Sequence, residues 1–196
     1  MDSDGYLSQL ADIFNGITVN TPSISAIIAI VLAGVLLLAS GFASASEIAF
    51  FSLSPSDRND IDERNHTSDD KISALLGNSE RLLATILITN NFVNVTIIML
   101  CNFFFMNVFV FHSPLAEFLI LTVILTFLLL LFGEIMPKIY SAQKTLAFCR
   151  FSAPGIYYLE KIFYPIATVL VRSTSFLNKH FAKKSHNISV DELSHA

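Results

Sequence analysis

Three apolar stretches, each long enough to cross a bilayer, constrain this chain more than any other feature. The first runs from about Ile24 to Leu53 and holds one ionisable residue, Glu47. The second, from about Leu82 to Phe111, holds none. The third, Leu115 to Met136, carries Glu117 at its start and Glu134 near its end. A helix needs roughly 20 apolar residues to span a hydrocarbon core about 30 Å thick. Membrane strands would instead alternate in segments of about 10 residues. Composition agrees, since 53% of the 196 residues are hydrophobic and only 14% are charged, against about 25% in soluble domains. The same richness in aliphatic and aromatic residues excludes disorder. Eighteen Phe and no Trp suit surface that faces lipid. The expected fold is an all-α membrane protein with three transmembrane helices, and the lipid bilayer is its first partner.

Charge sets the topology. Residues 1–21 contain no Lys or Arg, so the basic start of a cleaved signal is missing. They read as an extracytoplasmic tail with Asp2, Asp4 and Asp12 and an amphipathic turn around Leu7 to Phe14. Arg58, Arg64, Lys71 and Arg81 lie between the first two spans, and every other Lys and Arg follows the third. The positive-inside bias then puts the 54–81 loop and the C-terminus in the cytoplasm and the N-terminus outside. This is the pattern of a multi-pass protein of the inner (plasma) membrane. Opposite ends are also what three crossings require.

After the third span, Ile156, Tyr157, Leu159, Ile162, Phe163, Ile166, Val169 and Leu170 recur at helical spacing beside Glu160, Lys161 and Arg172. That pattern predicts a cytoplasmic, juxtamembrane belt of amphipathic helices lying along the interface, divided at Pro154 and Pro165. The charged pair 160–161 argues against a fourth full span, and a half-inserted fourth helix over 151–181 is the competing reading. Residues 183–196 read as a linker, with Ile188 to Leu193 resembling the start of another helix. Two Cys, Cys101 and Cys149, cannot make a disulfide framework or a zinc site.

Polar residues inside the spans carry the chemistry. The first group, Ser44-Ala-Ser-Glu47, offers two hydroxyls that in membrane helices more often bond a backbone carbonyl or a neighbouring helix. Its carboxylate either faces a pathway within the membrane or ends the span at the interface. The second group is Thr89-Asn-Asn-Phe-Val-Asn94, in which Asn90 and Asn94 share one helix face. Asn side chains here serve either to hydrogen-bond helices together or to form a site. In the third, Gly133-Glu-Ile-Met-Pro-Lys138, Pro137 has no N–H for the carbonyl of Gly133. Backbone freed at membrane depth persists only where protein, water or an ion satisfies it. Glu134 and Lys138 are spaced for a simple helix ion pair. Hydroxyls, amide oxygens, a backbone carbonyl and carboxylates are hard ligands suited to Mg²⁺, Ca²⁺ and Na⁺. Neither a nucleophile–base arrangement, nor a phosphate-binding glycine loop, nor a nucleic-acid patch accompanies them, so neither an enzyme nor a nucleic-acid partner is expected.

Phe42 to Ser52, Asn90-Asn-Phe-Val-Asn94 and Gly133-Glu-Ile-Met-Pro-Lys138 together resemble the signature stretches of the CNNM/CorC magnesium-transport family's transmembrane domain, over about residues 22–182. The resemblance implies three membrane helices, an external N-terminus, a juxtamembrane belt, a homodimer, and a downstream pair of cytoplasmic CBS domains that is absent from this chain. It also implies Mg²⁺ efflux, with Na⁺ exchange proposed for some members. Carried over by motif, the metal ligands are Ser44 or Ser46, Asn90, Asn94 and the Gly133 carbonyl, with Glu47 and Glu134 nearby. Ile48 stands where the family has Thr, which weakens the expectation of a coupled-ion site. One branch is associated with gliding motility. A structural or motility- and secretion-associated membrane protein of the same fold is therefore the alternative to a transporter, and a passive cation channel is a third reading.

Overall fold

In a computed structural model the backbone is described for residues 18–110 and 114–193, and side chains for 18–110, 117–119 and 121–173. Among the described residues three helices are long and apolar enough to span a membrane: Ile24–Phe51, Ser79–Val108 and Glu117–Gln143. The expected number and order of spans are therefore observed, and the chain is an all-α membrane protein. The expected turn at Leu7 to Phe14 lies outside the described residues.

Helix α1 (Ile24–Phe51) starts where Ser23 Oγ accepts the Ala26 N–H at 3.2 Å, satisfying a donor that the first turn leaves without a partner. Ser54 and Asp57 form a capping box, and Pro55 opens the short α2 (Pro55–Asp62). Helix α3 (Asp69–Leu76) follows. Asn78 caps α4 (Ser79–Val108), its side-chain oxygen accepting the Arg81 N–H at 3.3 Å. The third span comprises α5 (Pro114–Leu128), a π-helical stretch Leu129–Ile135 and α6 (Met136–Gln143). Helix α7 (Thr145–Leu193) completes the chain.

The start of α1 and the end of α4 are tied by two short antiparallel strands that the apolar pattern does not announce. In them β1 (Thr18–Val19) pairs with β2 (Phe109–Val110), Thr18 opposite Val110. Two apolar clusters then stack along the bundle. One, within the spans, joins Ala33, Val93, Ile97, Cys101, Leu125 and Leu129. The other, at the end carrying the 54–81 loop, packs Phe50, Ile61, Ile72, Leu75, Leu82, Ile86 and Ile156. Outside them Val31, Val35, Phe92, Met99, Val123 and Phe127 are exposed, as a lipid-facing surface requires.

The juxtamembrane belt differs from expectation in one respect. Pro154 and Pro165 do not divide it; both lie inside the single helix α7. Each proline costs one backbone bond, but packing outweighs that loss here. Cys149, Ala153, Ile156 and Ala167 are fully buried on one side, and Phe42 of α1 meets Phe148 and Phe151 edge-on or tilted at 6.3 and 6.1 Å. The opposite face exposes Tyr158, Ile162, Ile166 and Val169, an apolar stripe suited to the bilayer interface. Helix α7 also continues through the segment expected as a linker from Lys183, as far as Leu193; residues 194–196 lie outside the described residues.

Candidate functional site

Between the two apolar clusters lies a polar layer built from all three spans. Ser40 of α1 is fully buried. Its Oγ lies 2.8 Å from Asn90 Oδ1 and 2.7 Å from Asn94 Oδ1, both on α4. A hydroxyl has one proton, so it can donate to only one of these carbonyl oxygens at a time. Three oxygens therefore converge around a single hydrogen. The Asn90 amide is oriented by its other end, because Nδ2 approaches Glu134 Oε1 at 3.5 Å. Turning the amide over would set its oxygen against that carboxylate. At 1.5 Å per residue the cluster sits roughly 21–27 Å from the start of α1 and the end of α4, within the length of a core about 30 Å thick.

The third span closes the cluster with backbone. Gly133 is buried, and a Cβ there would stand 3.2 Å from Ser40 Oγ, so glycine permits this approach. Pro137 cannot donate to the Gly133 carbonyl, and the helix widens to a π turn over Leu129–Ile135, with the Met136 N–H reaching the Leu131 carbonyl. Such turns inside α-helices often mark functional sites. Pro137 itself packs against α1, since a Cβ on Gly41 would meet its Cγ at 3.0 Å. Ser141 Oγ donates to the Ala45 carbonyl at 2.7 Å, fixing α6 on α1 one turn further on.

The structure brings together Asn90, Asn94, Gly133 and Glu134 as the sequence suggests, but it supplies a different hydroxyl. Ser40 occupies the position expected for Ser44 or Ser46. Ser46 Oγ donates to its own helix at the Phe42 carbonyl, 2.6 Å away. Ser44 lies one turn beyond Ser40 and is fully buried, with no hydrogen-bond partner for its Oγ. Glu47 lies about 34 Å along α1, beyond the hydrocarbon, and pairs with Lys138 Nζ at 3.0 Å. This interhelical pair takes the place of the Glu134–Lys138 pair that spacing allows, and it leaves Glu134 to Asn90. Asn91 faces outward and bonds the Leu87 carbonyl. The missed signal was Ser40-Gly41, two small residues one turn before Ser44 and in register with the Asn face.

At the far end of the bundle the 54–81 loop is clamped to α7. Arg150 Nε and Nη2 donate to Asp69 Oδ1 and Oδ2 at 2.9 and 3.1 Å, and the His66 N–H also donates to Asp69. Burial alone would raise the Asp69 carboxyl, but these charge-assisted bonds outweigh it and hold the group below its ordinary range. Burial pushes the neighbouring Cys149 thiol up to about 12. Glu160 is also raised by burial, opposed by Arg81 at 4.0 Å. Arg81 lies over the Tyr164 ring and Lys161 over Tyr157, so the charged residues of the belt are held against its aromatic side chains.

Among the described residues no group of three or more His, Cys, Asp or Glu is placed to hold a metal ion. What the spans offer a cation is neutral oxygen with one carboxylate close by. The chain matches the family CNNM, described as the cyclin M transmembrane N-terminal domain, over residues 29–196. It is 31% identical over 134 residues to a UPF0053 protein of Haemophilus influenzae, a match covering 68% of this chain and 31% of that protein. The chain thus corresponds to about a third of that relative's length.

Proposed function

The chain belongs to the CNNM family of cyclin M transmembrane N-terminal domains, and from that premise we propose that it is the membrane part of a cation transporter whose cargo is Mg²⁺. The ligands in this reading are Asn90 Oδ1, Asn94 Oδ1, Ser40 Oγ and the Gly133 carbonyl, with Glu134 supplying negative potential. Glu47 neutralises Lys138 at the interface and coordinates nothing. The direction is efflux, with Na⁺ as the counter-ion.

One observation carries the reading: two amide oxygens are aimed at a single hydroxyl proton deep in the bilayer. An acceptor without a donor is costly in hydrocarbon. A small hard cation removes the mismatch, because every group in the cluster can present a lone pair to it. Mg²⁺ sheds water reluctantly and wants oxygens at about 2.1 Å in near-octahedral order, so it would retain several waters here. The buried, unpartnered Ser44 hydroxyl lies where such a water, or the ion itself on its way in, would find an acceptor. The functional unit is a homodimer packed through the spans, since three apolar helices are too few to enclose an ion path. It sits in the inner (plasma) membrane with the N-terminus outside. Its CBS pair would follow in a longer chain.

Purified protein in liposomes should accumulate labelled Mg²⁺ by counterflow, faster when a Na⁺ gradient opposes it. Mass measurement should find two chains per detergent particle. Liposomes that show neither counterflow nor conductance would favour a structural membrane protein of the same fold. Currents reversing at the Mg²⁺ equilibrium potential would favour a channel.

A further inference from the structure

A cavity of about 390 Å³ opens between α4 and α5 in the outer half of the bundle, lined by Ile98, Asn102, Met106, Glu117, Leu121, Thr122 and Thr126 among others. Four of these side chains are polar, in a part of the chain otherwise built from Leu, Ile, Val and Phe. Their depth is considerable: Asn102 lies about 9 Å in from the outer end of α4, and Thr126 about 18 Å in from the start of α5, at 1.5 Å per residue.

Elsewhere on α4, polar side chains facing the lipid return to their own backbone. Asn91, Thr96 and Asn107 each donate to a carbonyl one turn back, at 2.8–2.9 Å. Asn102, Glu117, Thr122 and Thr126 make no such bond and no ion pair with any described residue. Polar groups left open at membrane depth need water. Glu117 begins the third span and so sets a carboxylate at the mouth of the cavity.

The cavity adjoins the apolar layer that separates it from the oxygen cluster, because Leu125 both lines the cavity and packs in the buried cluster of Val93, Ile97 and Leu129. Between Thr126 and Gly133 the way is closed by Val93, Ile97, Leu125 and Leu129, each less than 10% exposed.

We infer that this cavity is a water-filled outer vestibule for a hydrated divalent cation, in which the Glu117 carboxylate concentrates the ion and Asn102, Thr122 and Thr126 hold its water shell. The layer of Val93, Ile97, Leu125 and Leu129 is the gate between vestibule and cluster, shut in the conformation seen here. This inference rests on the proposed cation-transport reading.

Single cysteines at Asn102, Thr122, Leu129 and Phe127 in a Cys101→Ser background test it by their reaction with impermeant thiosulfonate reagents of either charge. Reagent added on the N-terminal side should modify positions 102 and 122 at least tenfold faster than lipid-facing 127 or gated 129. The cationic reagent should outpace the anionic one, and Glu117→Gln should cut that preference at least threefold. Position 122 no more reactive than 127, or reactive only from the opposite side, overturns the vestibule. Reaction indifferent to reagent charge or to Glu117→Gln overturns the role of the carboxylate. The labelling needs no transport, so absent Mg²⁺ counterflow with a reactive vestibule condemns the transport reading instead.

Discussion

Gly133→Ala isolates the geometry of the cluster, because it alters no candidate ligand atom and no charge. The new Cβ would stand 3.2 Å from Ser40 Oγ, 3.5 Å from Leu37 Cδ1 and 3.7 Å from Ser40 Cβ. Only the first of these is too close, so the Ser40 hydroxyl must yield by a few tenths of an ångström. Its oxygen is already held at 2.7 and 2.8 Å by two Asn side chains, and the strain passes to them. Overpacking costs about 1 kcal/mol at the low end of its range, and the gain of Ala over Gly within a helix offsets about 0.8–1 kcal/mol of that. Stability without Mg²⁺ should therefore change by less than about 1 kcal/mol. Affinity for an ion that demands near-ideal octahedral geometry should fall at least about tenfold, a loss of 1.4 kcal/mol. Thermal unfolding in nanodiscs, followed across a Mg²⁺ titration, reads both quantities. Gly34→Ala is the control, since nothing lies within 4 Å of a Cβ there. A Gly133→Ala protein with the wild-type Mg²⁺ midpoint would refute the argument that Ser40 and the Asn pair form one site with Gly133.

Four further outcomes follow from the end of the bundle that carries the 54–81 loop. Arg150→Ala should lower stability by about 2–3 kcal/mol, the cost of stripping charged donors from a buried carboxylate. Asp69 has a folded-state value depressed below 3.8, so the clamp contributes fully above that pH and is lost as pH falls through the native value; acid unfolding curves of wild type and Arg150→Ala should converge there. Cys149, fully buried and raised from 9.0 to about 12, should resist alkylation at pH 8.5 until the protein unfolds, whereas labelling at the rate of a free thiol would contradict its burial. A cysteine at Asn65, in the loop between α2 and α3, should be shielded from impermeant reagent added to intact cells; modification there would reverse the proposed orientation.

Much of this was legible in the sequence, for reasons that differ between elements. The spans could be read because length and apolarity are per-residue properties that need no knowledge of neighbours. The shared face of Asn90 and Asn94 and the backbone consequence of Pro137 are likewise local. Ser40 was not legible, because which of three hydroxyls in one helix meets the Asn pair depends on the register between α1 and α4. That register is set by packing such as that of Ala33 in the cluster with Val93 and Ile97, residues distant in sequence, while Gly41 against Pro137 and Ser141 against Ala45 fix α1 on the third span. The continuity of α7 was obscured for the opposite reason: Pro154 and Pro165 are strong local signals, overridden by packing of Ala153, Ile156 and Ala167 that only the tertiary structure provides. Glu47 was read as equally suited to membrane or interface, and the length of α1 together with Lys138 places it at the interface.

The central claim is that Ser40, Asn90 and Asn94 hold one Mg²⁺ rather than merely joining helices. Calorimetric titration of Mg²⁺ into the purified protein, wild type against Asn90→Ala and Asn94→Ala, tests it most directly. Wild type should bind Mg²⁺ at this site, and either substitution should abolish that heat while the fold persists and its stability falls by only about 1 kcal/mol, as expected for one lost interhelical hydrogen bond. Unchanged Mg²⁺ binding in both variants would contradict the account.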